Sequence, residues 1–159
     1  MSNQIKTALS LQVLKRFRII YGSVRQHFHE IERTCGVTGS QLWIMQETAN
    51  TPGIGVSELA NRLSIHQSTC SQLVEKLVHR KLIIKERSTE DQRRVGLRLT
   101  EEAAGLIRNA PGPAEGVLTK ALNTLPTETV KSLDALLERV IEQLQTRDDD
   151  SAKKPLSDL

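Results

Sequence analysis

The chain has 159 residues, 38% hydrophobic but only 3% aromatic, enough for one domain with extended arms and a core of Leu, Ile and Val. Its net charge of +3 is too small to name a polyanionic partner, so any such reading must rest on where the bases lie. Two cysteines, Cys35 and Cys70, without CxxC or Cys/His spacing argue against a disulfide scaffold, a structural metal or a cofactor site. Residues 1–11 lack the apolar stretch of a signal peptide, and no apolar run nears the roughly 20 residues of a membrane span. A cytoplasmic protein with no membrane partner is the expectation.

Apolar residues at Val13, Leu14, Phe17, Ile20, Tyr21, Val24, Phe28 and Ile31 step by threes and fours and predict one long helix over Ile5 to about Arg33. Gly36 is its expected C-terminal cap. A second helix carries Leu42, Trp43, Met45 and Ala49, with Ser40 as N-cap, and stops at Asn50-Thr51-Pro52-Gly53. A short third helix has Ser57 as N-cap and Leu59, Ala60 and Leu63 as its buried stripe. After the turn Ser64-Ile65-His66, a fourth helix starts near Gln67 or Ser68, with Cys70, Leu73, Val74, Leu77 and Val78 on one face.

Leu82–Arg87 and Val95–Thr100 read as two strands around the polar loop Ser88–Arg94, a β-hairpin with a charged tip. Thr100 caps a fifth helix whose first turn holds Glu101 and Glu102. Ala110-Pro111-Gly112-Pro113 interrupts it, and Thr124-Leu125-Pro126-Thr127 punctuates again. Val130, Leu133, Leu137, Val140 and Leu144 then fall in near-heptad spacing on a final helix. Residues 147–159 are polar, with three consecutive aspartates, and read as disordered.

The order short helix, turn, polar-fronted helix, basic hairpin suits a module that places one helix in a DNA groove and a loop beside it. His66, Gln67, Ser68, Thr69, Ser71 and Gln72 form the polar front, short enough for close approach and able to donate and accept hydrogen bonds at base edges. The bland alternative is a set of ordinary solvated and capping residues. The hairpin adds independent weight. Between Val56 and Leu99, nine basic residues (Arg62, Lys76, Arg80, Lys81, Lys85, Arg87, Arg93, Arg94, Arg98) face five acidic ones (Glu58, Glu75, Glu86, Glu90, Asp91). That excess of four exceeds the whole chain's net charge, so the bases sit where phosphates would be met.

Three stretches resemble the MarR (multiple antibiotic resistance regulator) family of winged helix-turn-helix transcription factors. They are S-E-L-A-N-R-L in the third helix, Q-S-T-C-S-Q-L-V-E-K-L-V-H-R-K-L-I in the fourth, and the hairpin E-R-S-T-E-D-Q-R-R-V-G-L-R-L-T. The resemblance implies a mainly α fold with a small β-hairpin wing: an N-terminal dimerisation helix (1–36), a winged helix-turn-helix DNA-binding domain (37–100), C-terminal dimerisation helices (101–146) and the tail (147–159). It implies a homodimeric repressor of double-stranded DNA, with recognition helices in successive major grooves and wings in the flanking minor groove. Asp91 would orient the arginine of the D-x-R motif and Arg93 would reach DNA. Arg94 stands where the family often has a small residue. The dimer would be built on Val130, Leu133, Leu137, Val140 and Leu144. Family members often sense a small aromatic or phenolic compound or an oxidant. Tyr21, His27, Phe28 and Trp43 could line such a pocket, or simply pack the core. Cys70 points inward as a small core residue, while Cys35, near a helix end and expected to be exposed, is the alternative redox sensor. His27 and Glu30 make a chance metal pair at helical spacing. A second alternative is a wing that binds a protein partner. No nucleophile elbow, P-loop or Gly-rich dinucleotide loop is present, so catalysis is not expected.

Overall fold

The computed structural model describes residues 1–159 as α1 (Ser2–Cys35), α2 (Gly39–Asn50), α3 (Val56–Leu63), α4 (Gln67–His79), β1 (Ile83–Arg87), β2 (Val95–Leu99), α5 (Glu101–Asn109), α6 (Val117–Thr124) and α7 (Thr127–Ile141). The chain is mainly helical with one antiparallel hairpin, as expected from its patterning.

Several boundaries follow from local chemistry. α1 stops where Gly36 turns left-handed (φ 65°, ψ 19°) and donates its N–H to the Glu32 carbonyl at 2.9 Å. α2 is capped by Thr38, not by Ser40. The Thr38 hydroxyl accepts the Gln41 N–H and the Gln41 side chain accepts the Thr38 N–H, a reciprocal pair that satisfies two otherwise free donors. α3 is capped by Gly55, not by Ser57, because the extended backbone at Gly55 brings its carbonyl to the Leu59 N–H at 3.0 Å. Thr100 caps α5 by accepting the Ala103 N–H. α5 then ends at Asn109, just before the predicted Pro-Gly-Pro break. α7 ends at Ile141, so Leu144 lies beyond the helix, contrary to the expected ladder through it. There the backbone bonds tighten, Gln143 N–H to Val140 O and Leu144 N–H to Ile141 O, which turns Leu144 out of register.

The largest departure concerns residues 147–159. Instead of a disordered tail, Asp149–Lys153 and Leu156–Asp158 form two 3-10 helices. Their partners are supplied by remote parts of the chain: the Ser40 N–H donates to Ser157 Oγ at 3.0 Å, and Ser40 Oγ to Asp158 Oδ1 at 3.1 Å. That amide lies in the first turn of α2, where an acceptor is favoured.

One hydrophobic core of nineteen buried residues runs through α2, α3, α4 and the sheet, from Ile31 and Cys35 of α1 to Ala103 of α5. The hairpin pairs Ile83 with Leu99 and Arg87 with Val95. A further antiparallel bridge, Ile54 to Leu97, ties β2 to the α2–α3 connection, with the Gly53 N–H donating to Leu97 O at 2.8 Å and the Leu97 N–H to Ile54 O at 2.9 Å. Two glycines permit this approach. Gly53 has φ +88°, and a Cβ at Gly96 would stand 2.8 Å from the Gly53 carbonyl oxygen. The base of the hairpin is thereby fixed to the helical unit.

Candidate nucleic-acid interface

α4 sits on the core through Cys70, Leu73, Val74 and Leu77. Each large apolar side chain so buried contributes about 1.5–3 kcal/mol toward holding the helix in place. The opposite face carries the predicted polar front: Gln67, Ser68 and Gln72 are exposed, and His66, Thr69 and Ser71 half-buried. No side chain caps the first turn of α4. Its leading amides, on Gln67, Ser68 and Thr69, therefore have no protein acceptor. Free amides at the positive end of a helix form a seat for an anion such as a phosphate.

The turn that aims α4 is built by Ser64, in the left-handed region at φ 55°, whose N–H bonds back to the end of α3. Arg62 holds this corner to α2 by donating to Glu47 (3.1 Å), Thr51 (2.9 Å) and Glu58 (2.6 Å). Glu47 first, and Glu58 after it, push the Arg62 guanidinium above its usual range. Sequence reasoning counted Arg62 among the bases facing phosphate; the structure makes it a brace. Three more of the nine bases are similarly engaged. Arg80 donates to the Gly36 carbonyl at 2.8 Å, Lys85 pairs with Glu75, and Arg98 pairs with Glu86 across the hairpin. Arg87 and Arg93 stand outside these pairs and are exposed. A bare charge count could not separate the two groups, because the separation depends on which acids lie within reach.

At the tip, Ser88 Oγ accepts the N–H groups of Glu90 and Asp91, and the Ser88 N–H donates to Arg94 O at 2.9 Å. Asp91 Oδ1 accepts the backbone N–H of Arg93 at 3.0 Å, while its other oxygen lies 3.9 Å from Arg94 Nε. Asp91 thus fixes the main chain at Arg93, and the guanidinium it approaches is that of Arg94. The Asp-x-Arg spacing still explains the turn, since a short carboxylate reaches the amide two residues on.

A cavity of about 480 Å³ lies between α1, α2, the α3–α4 turn, α6 and residues 152–157. Phe28 and Trp43 line it with Val24, Leu63, Ile65 and Leu156, and Arg62, Asn123 and Lys154 add polar groups. Tyr21 and His27, expected there, do not line it. Tyr21 is 65% exposed on α1 beside Arg25, and the His27 ring contacts the Pro113 carbonyl at 3.0 Å. Glu30 is held by Arg33, which leaves it turned to that partner and not to His27. Cys35 is buried, contrary to the expectation of an exposed thiol, and Cys70 is fully buried. Burial raises both thiols, Cys70 to about 11, so neither is a thiolate near neutral pH. The dimerisation candidates Val130, Leu133 and Leu137 are half-buried in the single chain; Val140 and Leu144 are exposed.

Residues 36–94 match the family model described as MarR family. The chain is similar to an HTH-type transcriptional repressor, MdtR, of Bacillus subtilis, 22% identical over 146 residues that cover 92% of this chain and 90% of the relative. Over 76 residues it is 34% identical to a putative transcriptional regulatory protein for the hcr operon of Thauera aromatica, covering 48% of this chain and 46% of that protein. Its fold is similar to that in the crystal structure of the Staphylococcus aureus MepR–DNA complex, with a TM-score of 0.56 at 21% identity over 81% of this chain and 94% of the other. The matched residues span the α2–α4 unit and most of the wing, and over them the chain is similar to the MarR family of winged helix-turn-helix transcriptional regulators.

Proposed function

We propose that the protein binds double-stranded DNA as a sequence-specific repressor, acting as a homodimer on a pseudo-palindromic site. The observation that carries this reading is the front of α4: an uncapped helix start with free amides, followed by Gln67, Ser68 and Gln72 in the open. Gln can address an adenine edge with two hydrogen bonds, Ser and Thr can take several bases, and the helix start can take a phosphate. The exposed Arg87 and Arg93 of the wing then supply charge for a neighbouring groove. The named functions of MdtR and the DNA-bound state of MepR support the same reading.

The homodimer is supported by apolar surface that the single chain leaves open. Ile5, Leu9, Val13, Phe17 and Ile20 of α1, with Leu136 and Val140 of α7, are all at least 40% exposed. A two-fold pair would address half-sites about 34–36 Å apart or a multiple of that. The cavity beside Phe28 and Trp43 suits a small aromatic or phenolic effector, because its walls are mainly apolar with Arg62 and Lys154 at hand for an acidic group.

The test is selection of bound sequences from random duplex DNA near physiological salt. A two-fold symmetric enriched site establishes the dimeric reader. Weak, unselective binding with no enriched site would overturn it and favour a wing that meets a protein partner, whose affinity would lack the steep salt dependence of phosphate contacts.

A further inference from the structure

The segment from Asp148 to Asp158 lies against the residue that opens α4. Its Lys153 carbonyl accepts the backbone N–H of His66 at 3.0 Å, and Asp150 Oδ1 lies 3.4 Å from His66 Nε2. His66 is the residue that opens α4. Asp150 is also held by Lys154 at 3.2 Å. Lys154 first, and His66 after it, keep the Asp150 carboxyl below its usual range, so it stays charged. Downstream, Ser157 and Asp158 anchor the segment to the first turn of α2 through Ser40. Pro155 and Leu156 lie between, in the wall of the cavity. Asp150, the last of three consecutive aspartates, thus stands beside the positive end of the recognition helix, while Asp148 accepts from Ser151 and Asp149 pairs with Arg147.

We propose that residues 148–158 form an autoinhibitory strap, an intrachain acidic segment that occupies the start of the recognition helix and must leave before a DNA phosphate can approach it. This rests on the DNA-binding reading above. An acidic strap and a phosphate compete for the same field, and the strap has the advantage of being tethered, which gives it a high effective concentration. The ion pairs of Asp150 are exposed and individually weak. Duplex DNA, with many phosphates, can therefore displace it at a modest loss of affinity. Because Pro155 and Leu156 also wall the cavity, release of the strap opens the cavity on that side.

A spin label on Lys153→Cys reports the strap directly, since Lys153 is exposed and the native cysteines are buried. In the free protein the amide resonances of His66, Gln67 and Ser68 should be broadened by the label. Saturation with a mixed-sequence duplex should restore them. Broadening that persists in the DNA-bound protein, or its absence in the free protein, overturns the proposal. Affinity for the same duplex supplies the second readout. A chain ending at Arg147 should bind ~3- to 10-fold more tightly than the full chain. The charge exchange Asp150→Lys with Lys153→Asp, which leaves net charge unaltered, should gain similarly. A gain on truncation but none on exchange would assign the effect to bulk charge and dismiss the strap. If no form binds the duplex while the label still broadens α4, the DNA reading fails and the proposed competition with it.

Discussion

The α2–β2 unit and the helices that flank it are built on opposite terms. Sixteen of the nineteen core residues lie between Val37 and Leu97, whereas α6 and α7 bury no residue and the first twenty-two residues of α1 are exposed throughout. The reading unit is held by its own interior. The flanking helices carry apolar faces whose cover the single chain does not supply. Stability and assembly should therefore respond to different substitutions.

The sharpest way to test that division is to empty the interior. Leu77→Ala removes a fully buried side chain from the back of α4 and should cost about 2–5 kcal/mol, read by denaturant unfolding through the single Trp43. Loss below about 1 kcal/mol would mean the reading unit draws its stability from elsewhere. Leu137→Asp should do the reverse. If α7 forms the proposed dimer interface, a carboxylate placed on its apolar face should leave the protein monomeric in sedimentation, with Trp43 still reporting a folded reading unit. A variant that stays dimeric would remove α7 from the interface.

A smaller effect should follow from Gly96→Ala. The added Cβ meets the Gly53 carbonyl oxygen at 2.8 Å, and backbone cannot swing aside as a flexible side chain can. The expected cost is about 1–3 kcal/mol, together with accelerated hydrogen exchange at the amides of Gly53 and Leu97, which bridge the wing to the helical unit. Thr38→Ala should cost about 1 kcal/mol by opening the reciprocal cap of α2, and Thr38→Ser should restore most of it.

The same contrast decides what could be read from the sequence. Within the reading unit, the period of Leu73, Val74 and Leu77, the Pro52-Gly53 stop and the Thr100 start are local signals, and the elements stand where those signals put them. The cap at Thr38 was legible too, since Thr-x-x-Gln is the spacing of a reciprocal cap; Ser40 competed with it only by residue type. What sequence could not supply is contact across long separations. Residues 147–159 have a disorder-like composition, and the groups that order them, Ser40 and His66, lie more than 80 positions away. Arg62 and Arg93 are alike as letters, yet Glu47, Glu58 and Thr51 surround one and only a main-chain bond to Asp91 fixes the other. The pocket was legible only in part for the same reason: Phe28 and Trp43 line it, but of the aromatics Tyr21 and Phe28 on one helix only Phe28 reaches the stretch where α6 and residues 152–157 close over it.

Arg93→Ala should therefore have the smallest effect on stability and the most specific one on function. The side chain is exposed, and the tip conformation depends on the Arg93 amide, which alanine keeps. Unfolding should shift by no more than about 0.5 kcal/mol. If the guanidinium meets a phosphate, affinity for duplex DNA should fall and the slope of log affinity against log salt should become shallower by about 1. Arg62→Ala should behave differently, because that guanidinium braces α3 against α2: it should lower the unfolding midpoint first, with affinity falling only as the corner loosens. Equal behaviour of the two variants would mean that the split between bracing and free arginines has no functional content.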